Sequence, residues 1–415
     1  MRSRLGILLA VLLAAVACAQ GQTNELEIGA IYPLSGPQAT GAKEELAGVR
    51  AALELAQRSG ELKQQVRLRV IDAVTPAAAA AAVDTLANDH VPAIFGTYGS
   101  TLSAAASARA EEKKIIYWET GAVADPITAH RHYVFRTVAT GSSLGRMAVT
   151  FTQQVLLPRD KITTPRVVIV RVDDIYGRSV GDGEQALAKA FKLPVVDVIS
   201  YDPHAYDAPS IAARVKVDRP DYLWDVSYID DGVAIWQAIV NAHIPLKAAI
   251  GTSSAFCMPD FARRAGVDAI GVYAADKPDD TVSESALSPD ARSLLAQARS
   301  IYQRANGGAD LSISAVAGFV GSWTFFHSVL PSVQGAVTPD LLRNAALGVD
   351  IPIGDSINGG GVKFGYSGTL DEGQNHRSAA VVGQWQSDGD LVMRVVYPPA
   401  YATGTPINLP GMLNG

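Results

Sequence analysis

The chain has 415 residues, is 48% hydrophobic and carries a formal net charge of −6. That length and apolar content suit two domains with large cores, and the acidic balance argues against a nucleic-acid partner. Cys18 and Cys257 are the only cysteines, so apolar burial rather than disulfides must hold the body of the chain together.

Arg2 and Arg4 precede an unbroken apolar run from Leu5 to Ala17 and then small residues around Cys18 and Ala19, which predicts a secretory signal peptide over residues 1–19. The run is shorter than the roughly 20 residues a spanning helix needs, and no later apolar run is expected to reach that length. Ala15-Val16-Ala17-Cys18 reads either as a lipobox, with Cys18 acylated, or as ordinary cleavage after Ala17 or Ala19. Gln20 to Glu25 then forms a polar tether in both cases. The expected location is the periplasm or the outer face of the cytoplasmic membrane, and a lipid on Cys18 would be the only membrane attachment. Loss of Arg2 and Arg4 leaves 33 basic against 41 acidic residues, a net charge of −8.

From Glu27 short β-branched runs alternate with helical stretches. Strands are predicted at Ile28 to Ile31, Val66 to Ile71, Ala93 to Phe95 and Ile115 to Trp118. Helices are predicted between them at Ala42 to Ser59, Pro76 to Asn88 and Leu102 to Lys113. Such βαβ units build a parallel sheet with helices on both faces and ligands at the strand C-terminal ends. After Tyr133-Val134-Phe135-Arg136 the alternation restarts, with strands near Arg166 to Val172, Val195 to Tyr201, Tyr222 to Val226, Lys247 to Ile250 and Val272 to Ala274. Its helices fall near Ser142 to Leu156, Val180 to Phe191, Ser210 to Val217 and Gly232 to Ala242. Three helical segments follow (Asp290 to Ala305, Ala315 to Leu330, Pro339 to Ala346). An antiparallel pair, Ala379 to Gln386 and Leu391 to Tyr397, then surrounds Ser387-Asp388-Gly389. Two α/β lobes without a long linker place the expected site in the cleft between them.

Small-residue loops follow the strands: Ile31-Tyr32-Pro33-Leu34-Ser35-Gly36-Pro37, Gly96-Thr97-Tyr98-Gly99-Ser100-Thr101, Thr120-Gly121-Ala122 and Phe135-Arg136-Thr137. Asp173-Asp174-Ile175-Tyr176-Gly177 and Gly373-Gln374-Asn375 before Gly383-Gln384-Trp385 continue the series. In this order, over nearly all of the mature chain, they resemble the branched-chain amino-acid-binding family of type I periplasmic solute-binding proteins. The resemblance implies an α/β fold of two doubly wound parallel-sheet lobes joined by a three-strand hinge. It places lobe one at 25–138 and 275–347, lobe two at 139–274 and 348–400, and a C-terminal tail at 401–415. It also implies a monomer without cofactor or metal that binds a small-molecule ligand and delivers it to the membrane subunits of an ABC importer.

Gly99-Ser100-Thr101 joins a buried strand to a helix, so free N–H groups, the helix dipole and two hydroxyls converge there in an anion or carbonyl-oxygen pocket. Ser100 alternatively caps its own helix. The resemblance favours ligand contact by Ser100 and Thr101, beside Tyr98, with Gly121 and Ala122 as the facing edge. Glu119, where the family commonly has a small residue, would bind a cationic part of the ligand, pair with an arginine or point into solvent. Tyr176 and Tyr228 align with tyrosines that pack on the ligand from lobe two, each offering a flat face and a hydroxyl. Amino-acid binders of the family place a carboxylate after the next lobe-two strand, but here that loop reads Gly251-Thr252-Ser253-Ser254. Ser253 is then the expected contact, with Asp225 or Glu119 as candidates for the missing acid. An amino acid, an amide or urea-like compound and a small or aromatic carboxylate all remain open as ligands.

Gly141-Ser142-Ser143-Leu144-Gly145 matches the nucleophile-elbow string, which raises an extracytoplasmic serine hydrolase as a rival reading. Its position at the lobe crossover reads better as a hinge followed by a helix N-cap, so no enzyme is expected. A ligand-sensing module without transport is the other alternative. His130-Arg131-His132 lacks a third metal ligand at a recognisable spacing, and Gly177 to Gly183 lacks the lysine of a phosphate loop.

Overall fold

The computed structural model describes residues 25–410. The predicted leader and Cys18 lie outside the described residues. The first sheet contains β1 (Leu26–Tyr32), β2 (Val66–Asp72), β3 (Ala93–Gly96), β4 (Ile116–Glu119) and β5 (Val134–Arg136), all parallel, in the order β2-β1-β3-β4-β5. The second contains β6 (Val167–Val172), β7 (Val195–Tyr201), β8 (Tyr222–Val226), β9 (Ala248–Thr252) and β10 (Tyr273–Asp276), in parallel, with the antiparallel β11 (Val381–Asp388) and β12 (Asp390–Tyr397) added beyond β10. The parallel strands of the second sheet run β10-β9-β8-β6-β7, so both sheets wind outward in the same way from a central pair. The chain reverses winding direction between β1 and β3 in one sheet and between β6 and β8 in the other. At such a point successive crossover helices leave on opposite faces and a crevice opens beyond the strand ends.

Because helices cover both faces, the inner strands β3, β4 and β8 are buried at every position, whereas the edge strand β2 alternates in residue type and is mostly half-buried. The helix Ala39–Arg58 and the apolar helical stretch beginning at Ile313 pack so closely that a Cβ on Gly48 would lie 2.0 Å from the Ala315 carbonyl. By length and hydropathy Ile313–Ser332 is sufficient to cross a membrane, contrary to the expectation that no later run would be, but 83% of its apolar window is buried inside the protein. In the second lobe the glycines of Gly177 to Gly183 lie in the helix Ile175–Phe191, whose start, Ile175, precedes the predicted Val180 by more than a turn. They let it meet the helix Gly141–Phe151 backbone to backbone: a Cβ on Gly183 would stand 2.4 Å from the Ser142 carbonyl, and one on Gly145 2.4 Å from that of Val180.

The predicted extent of the second lobe needs one correction. The segment after Leu347 was expected there, yet Val349, Ile357, Val362 and Phe364 are buried in the first core. Phe364 meets Trp118 and Phe135 edge-on at centroid distances of 5.4 and 5.1 Å. Residues 373–375 then run beside β5, with Arg136 N–H donating to Gly373 and Asn375 N–H to Arg136. The chain therefore stays with the first core up to β11, whose first residue, Val381, still belongs to it. Phe364→Ala is expected to cost about 3–5 kcal/mol in a denaturant titration, as for a core phenylalanine; a cost typical of a surface position would place the segment outside this core.

Candidate functional site

The carboxyl ends of the two sheets face each other, and the side chains at their crevices close a small pocket. Tyr98, Ser100, Gly121, Ala122 and Ile313 line it from the first lobe, and Tyr176, Tyr228, Ser253, Met258 and Asp276 from the second. The void left between them is about 30 Å³, room for about two waters. The lobes must therefore part to admit a solute. Outside it lies a cleft of about 650 Å³, with Gln38 and Thr101 on one side and Asp173, Asp174, Asp202 and Asp230 on the other. Tyr228 lines both spaces and stands between them.

Gly96 ends β3 at φ +131, where a Cβ would lie 2.1 Å from the Ile31 carbonyl. This turn leads into the helix Ser100–Lys113, whose N-cap is Gly99 and not Ser100. Ser100 Oγ instead accepts from Ala124 N–H at 3.2 Å, which leaves its own proton to offer to an acceptor in the pocket. Thr101 is exposed and faces the outer cleft, with its hydroxyl 3.4 Å from Asp174.

Of its three expected roles Glu119 keeps only a distant form of one: it faces neither the pocket nor solvent, and Arg136 acts on it through charge without a direct ion pair. It is fully buried behind the loop: one oxygen accepts from Gly121 and Ala122 N–H at 2.8 and 2.7 Å, and the other from Ser103 Oγ. The N–H groups of Gly121 and Ala122 are thus engaged by Glu119 and are not free for a solute. On the other side of the loop, Glu45 accepts from Thr120 Oγ1 at 2.6 Å, and a Cβ on Gly121 would lie 1.8 Å from its second oxygen. Burial, with Glu119 as neighbour, pushes the Glu45 carboxyl well above the usual carboxylate range.

Tyr176 donates to the Thr252 carbonyl at 2.5 Å and Tyr228 to Asp174 at 2.6 Å. Both hydroxyl protons are therefore spent within the second lobe, and the rings, 5.2 Å apart and inclined by 41°, form an aromatic wall. Asp225 is also not a pocket residue. One of its oxygens accepts from Ser227 and the other is buried without a partner among the described residues, and burial pushes its carboxyl up to about 8. Ser253 and Ser254 both adopt left-handed backbone, at φ +58 and +52. Backbone strain of this kind clusters at ligand clamps and active sites, and both residues line the pocket.

Sequence reasoning missed Asp276, Lys277, Met258 and Ile313, all at the pocket. A signal existed for Asp276, an acid at a strand end, but β10 was predicted to stop at Ala274. The rival catalytic string is a helix start: Thr140 Oγ1 accepts from Ser143 N–H and donates to Ser143 Oγ, which Arg146 also contacts. His132 Nδ1 lies 2.9 Å from Glu372, joining its loop to the segment before the last crossing.

Two doubly wound lobes shut over a pocket built from both define a bilobal binding protein of the periplasmic type. The family described as periplasmic binding protein matches residues 25–390, and the chain belongs to it. Leu/Ile/Val-binding protein homolog 8 of Brucella abortus is 30% identical over 381 residues, covering 90% of this chain and 91% of that protein. Among solved structures, a leucine binding protein from Thermotoga maritima superposes with a TM-score of 0.73 at 15% identity over 89% of this chain and 97% of that one. A solute binding protein from R. palustris in complex with benzoate gives 0.73 at 17% identity over 92% and 98%.

Burial raises the Glu184 carboxyl, like that of Asp225, to about 8. A carboxyl raised in the fold stabilises fully below its unfolded value of about 4.3 and loses that contribution as pH rises through the folded value. Urea titrations should show stability falling between pH 5 and pH 8.5, and Glu184→Gln should flatten part of that fall. An equal slope in the variant would show that Glu184 ionises freely in the fold.

Proposed function

We propose that this chain is the extracytoplasmic solute-binding component of an ABC importer and captures a small polar solute between its lobes. One observation supports this above the others: the pocket wall comes from both lobes, so a solute can touch Ser100 and the Tyr176–Tyr228 wall together only when they are shut. Differential contact of that kind shifts a hinge equilibrium toward closure. The importer's membrane subunits would then read the closed shape.

Ser100 and the first N–H groups of its helix suit an acceptor head on the solute, a carboxylate or carbonyl. The tyrosine rings with Met258 and Ile313 suit its apolar body. The relatives and neighbours include proteins named for leucine, isoleucine and valine and one holding benzoate, which fits a small carboxylate-bearing solute.

A ligand at a hundred times its dissociation constant adds about 2.7 kcal/mol to stability. A thermal-shift screen of amino acids, amides, ureas and aromatic acids is expected to show that gain. Ser100→Ala and Tyr228→Ala should each remove most of it. An unchanged shift in both variants overturns this site.

A further inference from the structure

This inference rests on the reading of the cleft as a solute pocket and concerns what the pocket recognises. The loop after β9 carries no acid, and the two acids considered as replacements, Glu119 and Asp225, are outside the lining. A different acid is inside it. Asp276 is the last residue of β10 and is 2% exposed. Its Oδ1 accepts from Lys277 N–H at 2.7 Å and lies 3.2 Å from Lys277 Nζ. Its Oδ2 is buried and has no hydrogen-bond partner among the described residues. The residue lines the inner pocket and also a small adjoining cavity bounded by Cys257, Ala274 and Met393. The Cys257 thiol, a weak donor, is its neighbour in the same pocket wall, and a buried carboxylate oxygen so weakly met is an arrangement that a stronger ligand donor would complete.

We propose that Asp276 Oδ2 receives a protonated nitrogen of the solute, while Ser100 receives its acceptor end. Asp276 and Lys277 cancel in charge, so the pocket suits a solute of no net charge whose two ends are opposite in sign. Position adds a second consequence. Asp276 closes the second sheet, and by Val282 the chain is already in the first core. The residue that reads the nitrogen therefore sits on a crossing between the lobes, and ligand charge acts directly on the segment that must bend.

The test uses the mature chain and compares leucine with its deaminated counterpart, isovalerate, and with the uncharged isovaleramide, by calorimetry and thermal shift. The expected result is leucine binding at least thirtyfold tighter than either, and at least a tenfold loss of leucine affinity in Asp276→Asn with no loss for isovalerate. Equal affinity for leucine and isovalerate in the unmodified protein, a measurement that needs no variant to fold, overturns the proposal. So does leucine affinity unchanged in Asp276→Asn. Both of those outcomes leave solute capture itself standing, whereas failure of the unmodified protein to bind any member of a broad solute panel removes that reading and this one together.

Discussion

A buried guanidinium holds the lobes' junction in place. Arg136 ends β5 with no exposed surface, donating to Gln374 Oε1 and the Ala124 carbonyl at 2.7 Å and to Thr128 Oγ1 at 3.2 Å. Burial lowers its pKa to about 10, still high enough to keep the charge at neutral pH. A buried charge is tolerable only when its donors are met, so the first crossing, the last crossing and the loop behind the pocket must lie where they do. Asn375 fastens the same place from the other strand, through its Nδ2 to the carbonyls of Thr137 and Gly361 at 2.8 Å. The pocket-lining loop and the hinge are in this sense one polar cluster.

The matching order of the two sheets explains why the pocket falls where it does. Each lobe opens a crevice where its winding reverses, and the residues that follow those strands are the ones that meet: Tyr98 and Ser100 after β3, Tyr176 after β6, Tyr228 after β8. The carboxylates behind the loops then stiffen them rather than contact the solute. Glu119 braces Gly121 and Ala122, and Asp174 fixes the Tyr228 ring.

Much of this was readable from the chain alone, because period and punctuation are local. β7 and β8 were placed to the residue, and four residues expected from the strand-end loops and the family resemblance, Ser100, Tyr176, Tyr228 and Ser253, line the pocket. Side-chain direction was not readable in the same way. Glu119 and Asp225 stand at or beside strand ends, where one residue's difference in register turns a carboxylate from the cleft to the interior. The segment 348–376 misled for another reason: apart from the pair Val362 and Phe364, its buried residues Val349 and Ile357 are too widely spaced for a periodic pattern to tie the segment to a core. Asp276 was hidden by the placement of a boundary two residues too early.

The backbone-to-backbone seating of the helix Gly141–Phe151 on the helix Ile175–Phe191 has a mechanical meaning. The first of these helices begins at the crossing near Thr140 and the second carries Tyr176, and Gly145 and Gly183 leave no slack between them. The helix that starts at the crossing and the helix that carries Tyr176 are thus seated as one piece. A side chain at either glycine would have to push the two helices apart, moving the tyrosine ring relative to the crossing without any change among the residues that line the pocket.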